Sequence, residues 1–158
     1  MSNIIISGNI DDAMFQYFVK KFTKQTESPI NVIINSDGGD EHVGRAIAGF
    51  IKASGRDVHT YGFGAVHSTA VIVFAAGNVR RLSKAAVMLV HESSDKTKGK
   101  STEIRKFAKD MEKSEEFWCE LLQEYTGTDA KTWLKLHAAE TYLSPEEALK
   151  LNLATELI

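Results

Sequence analysis

Val32-Ile33-Ile34-Asn35-Ser36-Asp37-Gly38-Gly39-Asp40 passes from a β-branched apolar run into a polar turn with two successive glycines. The run predicts a strand and the glycines its end. Val43, Ala46, Ile47, Phe50 and Ile51 then recur at helical spacing and predict an amphipathic helix that stops near Gly55. The same alternation extends in both directions. Toward the N-terminus, Ile4-Ile5-Ile6 reads as a buried strand closed by Ser7-Gly8-Asn9. Asp11 or Asp12 then caps a helix carrying Met14, Tyr17, Phe18 and Phe22 ahead of Pro29. Toward the C-terminus, Val58-His59-Thr60-Tyr61 predicts a third strand, with Gly62, Gly64 and Ser68 in the loop after it. The apolar stretch from Ser68 to Ala76 predicts a buried helix with Gly77 in the left-handed cap position. Leu82 and Val87 to Val90 predict further strands, the second ending at His91.

The remainder is more helical. Glu92 to Lys100, with Lys96, Lys98 and Lys100, predicts an exposed, solvated excursion. A long helix follows, with a stripe of Ile104, Phe107, Met111, Trp118, Leu121, Leu122 and Tyr125, and Gly127 ends it. Thr128-Asp129 starts a shorter helix. Ser144-Pro145-Glu146-Glu147 combines a serine cap, a first-position proline and a capping-box glutamate. Leu153 to Ile158 predicts a terminal strand. Strands alternating with helices imply an α/β fold with right-handed crossovers. In such folds ligands meet the loops at the carboxyl ends of strands, which here are Asn35–Asp40, Gly62–Ser68 and the turn after His91.

Length and composition narrow the function. A chain of 158 residues, 43% hydrophobic and 25% charged, suits one packed domain and excludes a disordered tail or a collagen-like repeat. Cys119 is the only cysteine, so the chain carries no disulfide framework of its own and suits a reducing compartment. With 19 basic and 21 acidic side chains the net charge is −2, which recruits neither nucleic acid nor anionic lipid. The longest interior apolar run, Ala70 to Ala76, is far shorter than the ~20 residues of a membrane span, and no signal peptide is evident. The expectation is a soluble, cytoplasmic protein.

Several motifs fail on inspection. Gly99-Lys100-Ser101 has the tail of a phosphate-binding loop, but Ser94 stands where its first glycine belongs. Gly62-Phe63-Gly64 lacks the third glycine of a dinucleotide fingerprint, because His67 occupies that position. His91-Glu92 has Asp95 where a zinc-protease motif needs histidine. Asp37, Asp40, Glu41 and His42 read as solvated loop groups, so neither metal nor cofactor is assigned. Gly39, Ser68, His91 and an acid from the C-terminal third survive. A serine hydroxyl needs a base, a group that orients the base, and donors for an oxyanion. Ser68 at a helix start, His91 at a strand end and the Gly38-Gly39 backbone meet those needs. Taken singly, Ser68 reads as a helix cap, His91 as a satisfied strand-end histidine and Gly38-Gly39 as an ordinary turn.

Ile34 to Asp40, with Gly44 and Ala46-Ile47, resembles the Asn-Ser-Pro-Gly-Gly block of the proteolytic subunit of Clp proteases. The resemblance continues through Gly64-Ala65-Val66-His67-Ser68, Ala75-Ala76-Gly77, Arg80-Arg81, Val87 to His91, and Tyr142 to Ala148, in family order. It implies a ClpP/crotonase-like fold of repeated β-α-β units with a protruding handle helix, the whole of 1–158 being one peptidase domain with its handle at about 92–127. By position, Ser68 matches the family nucleophile, His91 its general base and Glu140 its third triad member, usually aspartate. Gly39 and Thr69 match the oxyanion-hole residues, and Gly38 and His67 lie beside the substrate.

The implied activity is a serine endopeptidase subunit of a self-compartmentalising homo-oligomeric ring that hydrolyses unfolded polypeptides. A heptameric form, stacking of rings and an AAA+ ATPase unfoldase are the family's patterns. Asp37 replaces the family proline, Ala139 the arginine that helps pair stacked rings, and the N-terminal axial segment is expected to be lacking, as in a short virus- or prophage-encoded member. Two alternatives stay open: a catalytically weak assembly subunit, and an acyl-coenzyme A enzyme of crotonase type, against which the order Ser68 then His91 speaks. Glu140 beside Ala138-Ala139 reads equally as a solvated helix residue, His67 as pocket lining or packing, and Cys119 has no catalytic role.

Overall fold

The computed structural model describes residues 3–158. Five strands, β1 (Ile4–Ile10), β2 (Ile30–Gly39), β3 (Val58–His67), β4 (Val79–Leu82) and β7 (Glu156–Leu157), form a parallel ladder in the order β1-β2-β3-β4-β7. A branch leaves β3. Its first part, His59 to Gly62, pairs with β4, and Ala65 to His67 pairs with β5 (Val87–Val90), which pairs in turn with antiparallel β6 (Thr141–Leu143). The helices are α1 (Asp12–Phe22), α2 (Glu41–Ala53), α3 (Thr69–Ala75), α4 (Ser101–Thr126), α5 (Ala130–Ala138) and α6 (Pro145–Lys150). The α/β class expected from the alternation is what the chain adopts.

The core lies against one face of the sheet. Ile4, Ile6 and Ile10 of β1 and Ile30, Val32 and Ile34 of β2 are buried there, and Phe18, Phe22 and Phe50 close the α1–α2 side with ring centroids 5.3–6.3 Å apart. Every residue of α3 is buried, as its uniformly small and apolar sequence requires. Helix ends follow the capping chemistry. Asp11 accepts from Met14 N at 3.0 Å, Gly127 ends α4 at φ 79°, and Ser144 and Glu147 form the reciprocal box of α6. The Asp129 side chain makes no cap bond; Gln123 Oε1 accepts from Ala130 N at 2.8 Å instead. Among the described residues no helix is long and apolar enough to cross a membrane.

Five expectations change. Ile5 is 51% exposed, because alternate residues of β1 point away from the helix-covered face. Gly62 to His67 is strand rather than loop, since β3 continues there on a new partner, β5. The terminal strand shortens to Glu156–Leu157, because Leu153 and Ala154 turn into the core and their N–H groups bond Ala148 O. Gly77 is not among the positive-φ residues. Its requirement is space: a Cβ there would lie 2.5 Å from Thr60 Oγ1, whose hydroxyl donates to Phe74 O at 2.8 Å. The long stripe on α4 is buried only toward its C-terminal end, at Trp118, Cys119, Leu122 and Thr126, while Ile104 and Phe117 are exposed.

Arg80 fixes the C-terminal segment. The buried guanidinium donates to Gly77 O, Asn152 O and Leu153 O at 2.8–3.0 Å, and burial holds its pKa below the ordinary arginine value. The contact between Thr60 and Gly77 gives a stability test. Gly77→Ala is expected to cost about 1–3 kcal/mol by overpacking, read by urea denaturation. The loss shrinks in a Thr60→Ala background, because the colliding atoms are gone; equal losses in both backgrounds would show that this contact does not set the requirement.

Candidate active site

The turn from β3 into α3 places Ser68. Ser68 N donates to Leu89 O on β5 at 2.8 Å, and Ser68 O accepts from Val71 N at 2.9 Å, so the backbone is held on both sides. Between those bonds the residue adopts φ 53° and ψ −124°, a conformation that costs a non-glycine residue on the order of 1–3 kcal/mol. Its hydroxyl makes no helix-cap bond, which removes the plainest structural explanation for a serine at a helix start. The geometry is that of a strand-turn-helix elbow presenting a hydroxyl. Gly38, at φ 102°, backs the turn so closely that a Cβ there would lie 2.9 Å from both Ser68 Cβ and His67 O. Ser36 secures this stretch, its hydroxyl donating to Gly8 O and accepting from Gly38 N.

Gly39 and Thr69 face one another beside that turn. Asp40 N donates to Ile10 O at 2.8 Å, the ladder bond that flanks Gly39 in its pairing with Ile10. In a parallel ladder the flanked residue turns its own N–H and C=O to the opposite edge. That edge is the α3 side, where Gly39 O accepts from the Thr69 hydroxyl at 3.1 Å. Thr69 is the first residue of α3, and N–H groups of a first turn have no partner within the helix. Its methyl fills the space left by Gly44 on α2, where an added Cβ would lie 2.0 Å from Thr69 Cγ2.

His91 directly follows β5. The β5–β6 register pairs Met88 with Leu143, Leu89 with Tyr142 and Val90 with Thr141, so His91 and Glu140 each lie one residue beyond the last pair. Glu140 is exposed and left-handed at φ 48°, its N–H bonded to His137 O. Among the described residues no hydrogen bond joins the side chains of Ser68, His91 and Glu140. His67 points elsewhere: Nδ1 lies 3.1 Å from Asp37 Oδ1, and its ring meets Tyr142 edge-on at 6.1 Å.

A cleft of about 630 Å³ opens on this constellation, and Gly39, Ser68, Thr69 and His91 line it; Gly38, His67 and Glu140 do not. Val90, Phe107, Met111 and Trp118 supply an apolar wall. Asp40, Glu41, Asp95, Asp110 and Glu115 supply carboxylates, with no lysine or arginine in the lining. Asp40 caps α2 through His42 N and Val43 N, and Glu41 accepts from Ser114 on α4. Three features escape sequence reasoning: the Thr69–Gly39 clamp, the wall from α4, and a close contact between His137 Nδ1 and Glu115 Oε1. Each joins residues from elements distant in sequence, so no spacing signals it. Cys119, behind the cleft, has its thiol pKa pushed up to about 12 by burial and by Glu115.

Comparison with known proteins adds an independent line. The sequence model of the family described as Clp protease matches residues 1–158. The "ATP-dependent Clp protease proteolytic subunit 2" of Treponema denticola is 31% identical, covering 98% of this chain and 80% of that protein. The subunit 2 of Borreliella burgdorferi is 30% identical over 89% of this chain and 78% of its own length. Among solved structures, the "ClpP1 N165D mutant from Listeria monocytogenes" superposes with a TM-score of 0.85 at 23% identity, covering 99% of this chain and 90% of that one. That likeness shows the fold. With the whole chain matched, the protein belongs to the Clp protease family.

Proposed function

We propose that the chain is a serine endopeptidase subunit, with residues 1–158 as one peptidase domain. The observation that carries this reading is Ser68: a serine in an unfavourable left-handed conformation whose hydroxyl is left out of helix capping. In the proposed reaction Ser68 Oγ attacks the peptide carbonyl, while His91 takes the hydroxyl proton and returns it to the leaving amine. Water then releases the acyl group by the same route. Glu140, one register step beyond the β5–β6 pairs, orients His91. The N–H groups of Gly39 and Thr69 hold the oxyanion, a contribution of roughly 3–4 kcal/mol for each donor in comparable sites. No metal or cofactor enters the scheme.

The extended cleft supports a polypeptide substrate, and its apolar wall supports an apolar side chain next to the scissile bond. Relatives named as proteolytic subunits of ATP-dependent Clp proteases support action as one subunit of a larger assembly with an ATPase partner, and the proposal extends this to a ring of copies acting on unfolded chains in the cytoplasm. The exposed Ile104 and Phe117 on α4 are suited to subunit contacts. An active-serine phosphonate should add to Ser68 in the assembled wild type and fail with Ser68→Ala, which lowers peptide turnover by at least about 10⁴-fold. Labelling of neither protein, with no peptidase activity, would favour the weak assembly subunit instead.

Thr69 provides a second test. Thr69→Val keeps the shape and deletes the bond to Gly39 O, a loss of about 0.5–1.5 kcal/mol. The expectation is a threefold to tenfold fall in kcat (~1.4 kcal/mol per tenfold) with little change in KM, and recovery in Thr69→Ser. The carboxylate lining gives a third. Fluorogenic peptides with lysine flanking the scissile bond should exceed their glutamate counterparts in kcat/KM. Added salt narrows the gap by screening, and Asp110→Lys narrows it further; equal rates for both peptides would exclude the carboxylates as a selector.

A further inference from the structure

Glu115, Cys119 and His137 meet at the back of the cleft. Glu115 and Cys119 are four residues apart on α4 and so share a helix face, and His137 comes from α5. One ligand atom from each, a carboxylate oxygen, a thiol sulfur and a ring nitrogen, lies within 4.8 Å of the other two. Cys119 is fully buried and His137 is 4% exposed. The plain reading is a single hydrogen bond from neutral His137 Nδ1 to Glu115 that fastens α5 to α4. That reading leaves two things unused. His137 Nε2 is buried with no hydrogen-bond partner among the described residues, a condition that normally costs free energy. The buried thiol beside it has no part in the pair.

We propose that Glu115, Cys119 and His137 form a binding site for a divalent transition metal of the zinc type, with its fourth coordination position open to the cleft. The donor set decides the class of ion. Thiolate, imidazole and carboxylate together suit Zn²⁺ and its neighbours, whereas Mg²⁺ and Ca²⁺ take oxygen ligands. A thiolate, a carboxylate and a neutral imidazole sum to −2, so a divalent ion makes the buried cluster neutral, and the pocket holds no unpaired charge. Metal–ligand bonds of about 2.0–2.3 Å place tetrahedral ligand atoms roughly 3.3–3.8 Å apart. Side-chain rotation brings the three ligand atoms, now all within 4.8 Å of one another, to that spacing. Glu115 and His137 line the cleft, which is the entry path, and Cys119 stands behind them. As the sulfur–metal bond forms, the thiol proton leaves to solvent; nothing is oxidised or reduced. The bound ion links the handle helix α4 to α5, three residues before Glu140.

The test uses the purified full chain, stripped with chelator and titrated with Co²⁺ alone. The expected result is one ion per chain, a thiolate-to-cobalt charge-transfer band in the near ultraviolet, and quenching of tryptophan emission, since the Trp118 ring lies 6.4 Å from that of His137. Zn²⁺ should displace the cobalt and raise Tm. Cys119→Ser removes the band. Glu115→Gln, at the more exposed ligand, keeps the fold and weakens Co²⁺ binding by more than the roughly 10–100-fold that loss of an outer-shell partner costs. A wild type without the charge-transfer band would overturn the proposal, and so would a band that persists unchanged in Cys119→Ser or Co²⁺ binding unaffected by Glu115→Gln.

Discussion

The left-handed backbone of Ser68 is the constraint around which the rest of the molecule is organised. A non-glycine residue holds φ 53° only where its surroundings over-determine it. Here Leu89 O takes the Ser68 N–H, Val71 N binds its carbonyl, and Gly38 closes against its Cβ. Behind the turn, α3 is buried on every side and tied to β3 through Thr60 and Phe74 O. Burial of α3 on that scale contributes roughly 1.5–3 kcal/mol for each large apolar side chain. That is ample to offset the strain at one residue, and it is why the unfavourable turn persists.

The branch in the sheet brings the remaining groups to the same place. β3 pairs with β4 along its first half and β5 along its second, which sets β5 beside the carboxyl end of β3. In open α/β sheets ligands meet the carboxyl ends of the strands. Gly39 ends β2, Ser68 follows β3, His91 follows β5, and Glu140 precedes β6. Gly39, Ser68 and His91, remote in sequence, therefore meet at the cleft because their strands are neighbours, and Glu140 stands just outside it. The handle helix supplies the facing wall, and its exposed N-terminal half stands clear of the core.

Local chemistry made much of this legible in the sequence. The caps at Asp11, Gly127 and Ser144, the buried α3, and the glycine block before α2 all follow from side-chain preferences that act within a few residues. What stayed hidden depends on partners far along the chain. Gly62 and Gly64 look like a loop because glycine weakens a strand, yet pairing with β5 carries the strand through to His67. Gly77 looks like a left-handed cap, and only the Thr60 side chain shows that it is needed for room. Glu115 and His137 belong to different helix faces, and nothing in either face's periodicity announces the other.

In the proposed triad the exposed position of Glu140 bears on how His91 can be oriented. Between an exposed carboxylate and a half-buried histidine the attraction is weak, because water screens it and competes for the same hydrogen bonds. In the proposed reaction a peptide laid along the cleft would cover His91 and remove part of that water, which would strengthen the attraction without moving any backbone. The extra methylene of glutamate, compared with aspartate, gives the carboxylate reach across the register step from a backbone already fixed at φ 48°. In this geometry the rigid parts are the serine turn and the Gly39–Thr69 clamp. In the proposed triad the adjustable part is the acid, and the free energy that would set it comes from substrate binding and the exclusion of water.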